Sequence, residues 1–162
     1  MEIWYTLRMG ILLWVGIGLV GLLVLLFVVL PIAWLMIKGT RPAGVVIDVT
    51  SPTEIGVAQP FEIEVRVRDT LNRERKLRSI DLEHSLLKGF TVERLDPQPE
   101  DHSSMLGTTA YHFKLPIAAQ GTMAVTLHCR ASEPGEYGGT LMVYVDSANA
   151  TSVDETIRLV VR

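Results

Sequence analysis

The stretch Phe61-Glu62-Ile63-Glu64-Val65-Arg66-Val67-Arg68 decides the fold that this sequence predicts. Apolar residues occupy every second position, and each residue between them is charged. Because successive side chains of a β-strand point to opposite sides, one side of this stretch is apolar and the other is charged. The stretch therefore predicts a strand of an antiparallel sheet with one buried face and one solvated face.

Seven further runs follow the same two-residue period and are separated by residues typical of turns. They cover residues 45–49, 80–86, 90–95, 109–115, 123–129, 137–145 and 153–161. Eight short strands without a convincing amphipathic helix predict an all-β sandwich of seven to eight antiparallel strands. A small barrel is the alternative that the pattern leaves open.

The sequence Glu133-Pro134-Gly135-Glu136-Tyr137 lies between two of these runs. It resembles the corner between the E and F strands of immunoglobulin-like sandwiches of the fibronectin type III, CARDB and bacterial surface-repeat kind. The resemblance covers about residues 45–161. It implies that Pro134, Gly135 and Tyr137 form a structural corner in which the Tyr137 hydroxyl bonds back to the turn. It further implies a role in binding or assembly and transfers no catalytic residue.

A long apolar segment precedes the alternating region. Residues 9–37 contain no Asp, Glu, Lys, Arg or His, and 16 of the 20 residues in 11–30 are Leu, Ile, Val or Phe. A bilayer core of about 30 Å needs about 20 helical residues. A cleaved signal peptide has a shorter apolar region that ends at a small-residue cleavage site. The segment therefore predicts one transmembrane helix that acts as an uncleaved signal anchor.

These features divide the chain into four parts. Residues 1–8 are a short amino-terminal tail, 9–37 the transmembrane helix, 38–43 a linker and 44–162 the immunoglobulin-like domain. The linker is too short to let the domain move far from the bilayer surface, since an extended residue spans about 3.4 Å. The lipid bilayer is thus one predicted partner of the chain.

Three glycines of the apolar segment fall close to one helix face. Small residues on such a face let a second helix approach closely. This face predicts packing against another helix, including self-association of two copies of the chain. The glycines concerned are Gly10, Gly18 and Gly21.

Composition argues against several functions. The chain from Gly39 onward holds 13 of the 15 Lys and Arg but 17 of the 18 Asp and Glu, and an acidic domain does not suit nucleic acid. Cys129, the single cysteine, cannot form an internal disulfide and lies in step with apolar neighbours, so we expect it to be buried. The sequence has no metal-ligand spacing and no catalytic motif. We therefore expect no enzyme, no cofactor and no metal site.

The segment 96–107 is rich in Pro, Ser, Asp and Glu and predicts a solvated loop or a loop that contacts a partner. Its Asp101-His102-Ser103-Ser104 sequence lacks the strand-turn-helix elbow of serine hydrolases. By strand parity His112 and His128 point away from the core, whereas His84 shares the parity of Leu82 and Leu86.

Four cations fall within six residues of segment 69–78, which the pattern assigns to the loop between the second and third strands. In an immunoglobulin-like sandwich this loop lies at the pole where the first strand begins, so the linker would hold it near the membrane. Cations near an anionic leaflet contribute about 1 kcal/mol each. The sequence therefore predicts that this loop contacts anionic lipid or an acidic partner, a solvated loop being the alternative. The four residues are Arg73, Arg75, Lys76 and Arg78.

The sequence thus predicts a single-pass membrane protein that presents one immunoglobulin-like domain as a non-catalytic binding or assembly module. Its protein partner would use the charged sheet face or a strand edge. The alternative is an accessory subunit whose helix packs within a larger membrane complex. The positive charges on the two sides of the helix are nearly balanced and lean slightly towards a domain inside the cell. The short amino-terminal tail and the likeness to surface repeats favour a domain outside the cell, and this is the location that we expect. The charged face includes Glu62, Glu64, Arg66 and Arg68.

Overall fold

The structure is a computed structural model that describes Leu22 and residues 25–29, 42–146 and 152–162. The chain forms two compact units, Met1–Gly39 and Thr40–Arg162. In the first unit, Leu25–Val29 form a five-residue π-helical segment. None of the helices in the described residues has both the length and the apolar character that a membrane crossing requires.

Several predictions made from the sequence fall outside the described residues. They concern the tail 1–8, most of the predicted span 9–37 and the linker residues 38–41. The predicted helix-packing residues Gly10, Gly18 and Gly21 also lie outside this part of the chain.

The second unit contains ten strands and one helical turn in its described residues. In chain order they are β1 (Val45–Thr50), β2 (Glu54–Ile55), β3 (Pro60–Asp69), β4 (Arg75–Glu83), α1 (His84–Leu87), β5 (Phe90–Asp96), β6 (Asp101–Met105), β7 (Thr108–Ile117), β8 (Thr122–Ala131), β9 (Gly135–Val145) and β10 (Val153–Val161).

The strands form two sheets. One has four strands in the order β1-β3-β8-β5, and the other has six in the order β2-β10-β9-β4-β7-β6. The prediction of an all-β sandwich is confirmed. The predicted count of seven to eight antiparallel strands is too low, because β2 and β6 add to it, and β2 pairs with β10 in parallel.

The two-residue period of β3 sets the register of the four-stranded sheet. Its apolar residues lie opposite apolar residues of β8, as in the pairs Ile63 with Leu127 and Val65 with Val125. These four side chains are 0–1% exposed. Each buried aliphatic side chain stabilises the fold by roughly 1.5–3 kcal/mol relative to an exposed one. Matching inner faces of the two sheets therefore create one hydrophobic core.

The predicted strand 80–86 ends earlier than its pattern suggested. β4 stops at Glu83, and α1 carries the chain from the six-stranded sheet to β5 in the other sheet. Leu86 is fully buried at this crossover, whereas His84 is exposed. The parity assigned to His84 was therefore wrong, since a helical turn breaks the alternation.

Tyr137 closes the connection between β8 and β9. Its hydroxyl donates to the carbonyl of Glu133 at 3.1 Å, so it bonds back to the turn that contains Pro134. Its ring packs so closely on Gly89 that a Cβ atom built there would lie 2.4 Å from the ring. This corner thus requires a residue without a side chain at position 89.

Candidate functional site

A buried ion-pair cluster lies where β3 ends and β4 begins. Arg75 Nε donates to Asp69 Oδ1 at 3.1 Å, and Arg75 Nη1 donates to Asp146 Oδ2 at 2.9 Å. Arg75 Nη2 also donates to the carbonyl of Ala43. We call Asp69, Arg75 and Asp146 the basal cluster, and it ties the start of the domain to β4.

Both carboxylate oxygens of Asp69 have a partner. Oδ1 accepts from Arg75, and Oδ2 accepts from the amide of Gln120 at 3.3 Å. Burial opposes ionisation, but these hydrogen bonds and the Arg75 charge outweigh it and lower the pKa of Asp69 below its ordinary value of 3.8. Asp69 is therefore a structural carboxylate whose charge the fold stabilises.

The basal cluster corrects the prediction of a basic loop over residues 69–78. Arg75, Lys76 and Arg78 belong to β4. Arg75 is only 6% exposed, and Arg78 Nε donates to a main-chain carbonyl of the basal cluster at 3.1 Å. The side chains of Arg73 and Lys76 are exposed. Arg75 is held inside the fold by its two carboxylate partners. Contact with lipid or an acidic partner stays a prediction for Arg73, Lys76 and the half-buried Arg78.

The outer face of the four-stranded sheet is charged, and several of its charged side chains have partners within the sheet. Arg66 donates to Glu64 of the same strand through Nε and Nη2, each at 2.9 Å. Across the sheet, His128 Nδ1 lies 3.0 Å from Glu62 Oε1. The side chain of Arg68 is exposed beside them. This face is therefore largely neutralised by its own residues.

The outer face of the six-stranded sheet differs, because a single carboxylate lies near its middle. Strand pairing places Asp154, Met142, Asp81, Ala110 and Ser103 in one row across β10, β9, β4, β7 and β6. Asp81 thus has a methionine on one side and an alanine on the other. Neither side chain carries a group that can pair with a carboxylate.

Asp81 Oδ1 is buried and has no hydrogen-bond partner, the one such side-chain nitrogen or oxygen in the described part of the chain. Burial raises the pKa of Asp81 above its ordinary value of 3.8, and the Ser79 hydroxyl and the nearby His112 oppose this rise only in part. An unsatisfied buried acceptor costs about 1–3 kcal/mol. Asp81 therefore destabilises the isolated domain.

A cavity of about 250 Å³ opens beside Asp81 on this outer face. We call it the Asp81 pocket. Its floor is formed by β4 and β7, and its rim by the turn that joins β6 to β7. Among the residues that line it are Asp81, Met105, Leu106, Ala110, His112 and Tyr144.

The rim of the Asp81 pocket is an exposed apolar hairpin tip. Met105 is 69% exposed and Leu106 is 96% exposed. Leu106 and Gly107 have positive φ angles of 51° and 87°, as a type I′ turn requires. Asn or Gly is the usual residue at such a position, and a leucine there costs about 1 kcal/mol. Position 106 is thus a solvent-exposed leucine at a place where Asn or Gly would give a more stable turn.

Ser103 and His112 lie across from each other near the pocket. The Ser103 hydroxyl and His112 Nε2 are 3.0 Å apart, and His112 is half-buried on the outer face, as its parity predicted. A hydrolase also needs a group that orients the histidine and donors for an oxyanion. Asp81 does not orient His112 through Oδ1, since that oxygen has no partner. The pair is therefore a cross-strand hydrogen bond in the β6–β7 hairpin.

A larger cavity, of about 550 Å³, lies between the edges of β5 and β6. Its acidic residues are already paired. Glu93 accepts from Arg130 at 2.6 Å, and Glu100 accepts from Lys114 at 2.6 Å. Unlike the Asp81 pocket, this cavity presents no unsatisfied carboxylate among its described residues.

Two further expectations concern chemistry. Cys129 is buried as predicted, and burial raises the pKa of its thiol to about 12, so the thiol is unreactive near neutral pH. Among the residues that the structure describes, no group of three or more His, Cys, Asp and Glu is arranged to hold a metal ion.

Sequence reasoning missed the Asp81 pocket for two reasons. The residues of β6 are Asp-His-Ser-Ser-Met, which show no apolar alternation and were assigned to a loop. The turn was also not recognised from the sequence, because Leu106 occupies the position where Asn or Asp usually precedes Gly in a type I′ turn. The Leu106-Gly107 pair before an alternating run was the available signal.

No protein-family model and no curated protein sequence matches the chain. Among solved structures, it is similar to a CARDB domain from Pyrococcus furiosus, solved in complex with di-metal ions. That likeness has 13% identity and a TM-score of 0.50 and covers 78% of this chain and 96% of that chain.

Two more solved domains have lower scores. A cupredoxin domain from Nitrosocaldus yellowstonii shows 11% identity and a TM-score of 0.48, with 77% and 90% of the two chains covered. A cohesin module of a Clostridium perfringens glycoside hydrolase shows 10% identity and a TM-score of 0.47, with 75% and 98% covered. At these identities the CARDB likeness shows the fold alone. The unit Thr40–Arg162 therefore has an immunoglobulin-like β-sandwich fold, similar to that of this CARDB domain.

Proposed function

We propose that this chain is a membrane-anchored, non-catalytic binding module whose sandwich domain engages a protein partner through the Asp81 pocket and its hairpin rim. The observation that carries the proposal is Leu106, an almost fully exposed leucine in a backbone conformation that disfavours it. Backbone strain of this kind concentrates at functional sites. A partner that covers the leucine would recover the free energy of burying it.

The contrast between the two outer faces supports this choice of surface. The charged face of the four-stranded sheet already pairs Glu64 with Arg66 and places Glu62 within hydrogen-bonding distance of His128, so a partner there would have to displace these contacts. The Asp81 pocket instead offers the exposed apolar side chains of Met105 and Leu106 at its rim. Interfaces gain most from apolar anchors in desolvated pockets.

The anchor in the proposal is supported by the sequence. Residues 9–37 lack charged side chains, and 16 apolar residues at roughly −0.3 to −0.6 kcal/mol each favour insertion of such a segment. We propose that the sandwich domain lies outside the cell.

Site-specific photocrosslinking in the native cells tests the binding surface. A photoreactive phenylalanine analogue would replace Leu106 in one variant and Arg68 in a matched control on the charged face. We expect a discrete protein adduct from position 106 and none from position 68. Adducts of equal yield from both positions, or none from position 106, would contradict the proposal.

Thiol labelling tests the location of the domain. In a Cys129→Ser background, Lys88→Cys places one thiol on an exposed position of the sandwich. We expect a membrane-impermeant maleimide to label this thiol in intact cells. Protection that disappears only on lysis would place the domain inside and overturn this part of the proposal.

A further inference from the structure

We infer that the free edge of β1 binds an extended segment of a protein partner, which adds to the four-stranded sheet as a fifth strand. This edge belongs to a different sheet from the Asp81 pocket, so the inference goes beyond the proposed function. Three features of the molecule support it: the backbone groups that β1 leaves unpaired, the side chains beside them and the contrast with the other edge strands.

The hydrogen bonds between β1 and β3 show which backbone groups of β1 are unpaired. The amide of Thr70 donates to the carbonyl of Gly44 at 2.8 Å. Bonded and non-bonded residue pairs alternate in an antiparallel ladder, so the N–H and C=O of Ile47 and Val49 point to the free edge. In the described part of the chain, β1 pairs with β3 alone, and no turn or side-chain hydrogen bond reaches these groups. The residues that bond to β3 are Val46, Asp48 and Thr50.

The other side of β3 gives the same result independently. The amide of Asp69 donates to the carbonyl of Gly121 at 3.0 Å, in the turn before β8. The odd-numbered residues of β3 therefore bond to β8, and its even-numbered residues bond to β1. Even-numbered residues of β3 lie opposite even-numbered residues of β1, which leaves Ile47 and Val49 for the free edge.

The side chains next to these groups are incompletely covered. Val45, Ile47 and Val49 pack against the core but are only half-buried, whereas Val65 and Val67 of the neighbouring β3 are fully buried. The difference arises because the sheet ends at β1. A cavity of about 450 Å³, lined by Val49 and by residues of β10, opens at the end of this strand. An added strand with an apolar residue at every second position would cover these side chains, and burial of apolar surface favours its binding.

The other three edge strands of the described sandwich are less suited to pairing. β2 is only two residues long. The ladder of β5 is interrupted by a register shift between Val92 and Arg94, and the amide of His102 in β6 already donates to Asp101 Oδ1 at 2.7 Å. Short strands and bulges are features that prevent edge pairing. β1 has six residues in unbroken register, five of which are Val, Ile or Thr, and its single charge is that of Asp48.

The unpaired groups specify an extended polypeptide as the ligand. Ile47 and Val49 each present one donor and one acceptor, and two residues of a strand are roughly 6.8 Å apart. The backbone of another strand repeats its donors and acceptors at the same interval. In binding by strand addition, main-chain hydrogen bonds provide affinity and alternate side chains provide specificity.

Amide NMR of the full chain in detergent tests the inference with a designed peptide. The probe is acetyl-Thr-Val-Lys-Val-Thr-Val-Lys-amide, in which valines alternate with polar residues. At saturating peptide we expect the solvent exchange of the Ile47 and Val49 amide hydrogens to slow by about tenfold or more, because each gains an acceptor. The amide of Ser104, in the edge strand β6, is the internal control and should not change. Unchanged exchange of Ile47 and Val49 would overturn the inference.

Two N-methylated forms of the peptide separate strand addition from unspecific apolar contact. One form is methylated on the amides of the three valines, and the other on the amides of the three polar residues that follow them. Alternate amides of a strand face opposite edges, so only one form loses its hydrogen bonds to β1. That form should bind about tenfold more weakly. Equal binding of all three peptides, or an equal loss with both methylated forms, would contradict strand addition.

A pair of chain variants tests the same edge. Ile47→Pro removes the N–H that points to the free edge and breaks no hydrogen bond to β3, whereas Ile47→Ala keeps that N–H and shortens the side chain. We expect the peptide to protect the Val49 amide in Ile47→Ala but not in Ile47→Pro. Equal protection in both variants would refute a role of this backbone donor. If Ile47→Pro does not fold, the methylated peptides decide the question with the wild-type chain.

The same spectra distinguish a partner segment from a second copy of the chain. Protection of Ile47 and Val49 without peptide that disappears on dilution would assign the edge to a second copy and overturn the inference. The crosslinking experiment reports on a different contact. A group at position 68 points away from the sheet and lies two strand spacings, roughly 9.6 Å, from an added strand. Peptide binding at β1 and the adduct at position 106 therefore succeed or fail independently.

Discussion

Asp69 and Asp81 are both carboxylates that the fold shields from water, but their surroundings differ. Asp69 pairs with Arg75 at the start of β4, whereas Asp81 lies near the end of that strand. Asp69 is 1% exposed and has a partner on each oxygen. Asp81 is half-buried and leaves Oδ1 without a partner. Their pKa values accordingly move in opposite directions, that of Asp69 below 3.8 and that of Asp81 above it.

The comparison separates a carboxylate whose charge the fold compensates on both oxygens from one whose charge it compensates only in part. A buried carboxylate that stabilises a fold is surrounded by donors from that fold, as in the basal cluster. A carboxylate oxygen that is buried without a donor instead lowers the stability of the fold. The following predictions test this distinction, from the largest expected effect to the smallest.

Arg75→Gln should lower the free energy of unfolding by about 3 kcal/mol, because it leaves buried carboxylate groups without their cation. Urea denaturation of the full chain in detergent measures the change. Arg73→Gln is the matched control, since Arg73 is exposed, and we expect it to stay within about 0.5 kcal/mol. A similar loss in both variants would show that the basal cluster is not the source of the effect.

Asp81→Asn should leave the fold intact and raise the free energy of unfolding by about 0.5–1 kcal/mol, because an amide is easier to bury than an unpaired carboxylate. Thermal denaturation of the wild-type and Asp81→Asn chains measures this difference in stability. Asp154→Asn, in the same cross-strand row as Asp81, is the exposed control. A clear loss of stability in Asp81→Asn would mean that the fold satisfies this carboxylate.

Leu106→Asn should raise the free energy of unfolding by about 0.5 kcal/mol, because asparagine tolerates the left-handed region better than leucine. The same variant should lose partner adducts from a crosslinker placed at Met105. A variant that is less stable and still binds would contradict a role of this leucine in recognition.

The smallest effect is a difference in pH dependence. The folded-state pKa of Asp81 is raised, so the advantage of Asp81→Asn is fully present above that pKa and disappears as the pH falls towards 3.8. The folded-state pKa of Asp69 is lowered, so its stabilising contribution is present above 3.8 and is lost as the pH falls below that value. The urea midpoints of the wild-type and Asp81→Asn chains, measured between pH 7 and 3, show how the advantage of Asp81→Asn changes with pH. An advantage of Asp81→Asn that grows on acidification would contradict the assigned direction.

Most strands of the sandwich could be predicted because their alternation is local. The runs at 61–68, 123–129 and 153–161 have apolar residues on one side and polar residues on the other, and all are strands. The start of β4 was predicted too late in the chain because its first residue is Arg75. This arginine is buried, but an arginine counts as polar when apolar and polar positions are compared. β6 was missed because all five of its side chains are exposed.

The basal cluster and the Asp81 pocket could not be predicted in the same way. In the sequence Arg75 is one of four cations in a predicted loop, and its burial depends on Asp69 at the end of β3 and on Asp146 directly after β9. Asp81 appeared to be an ordinary outward residue of an alternating strand. That its Oδ1 has no partner follows from strand register, which places Met142 and Ala110 beside it.

By itself, then, the sequence determined the class of this protein: the two-residue period specifies which side of each strand is buried, and that is a property of neighbouring residues. The tertiary structure alone decided which charges are satisfied. A charge is satisfied only when a donor lies within about 3 Å, and donors from distant segments reach that distance only after the sheets have paired. The basal cluster and the unpartnered Asp81 are two outcomes of that pairing.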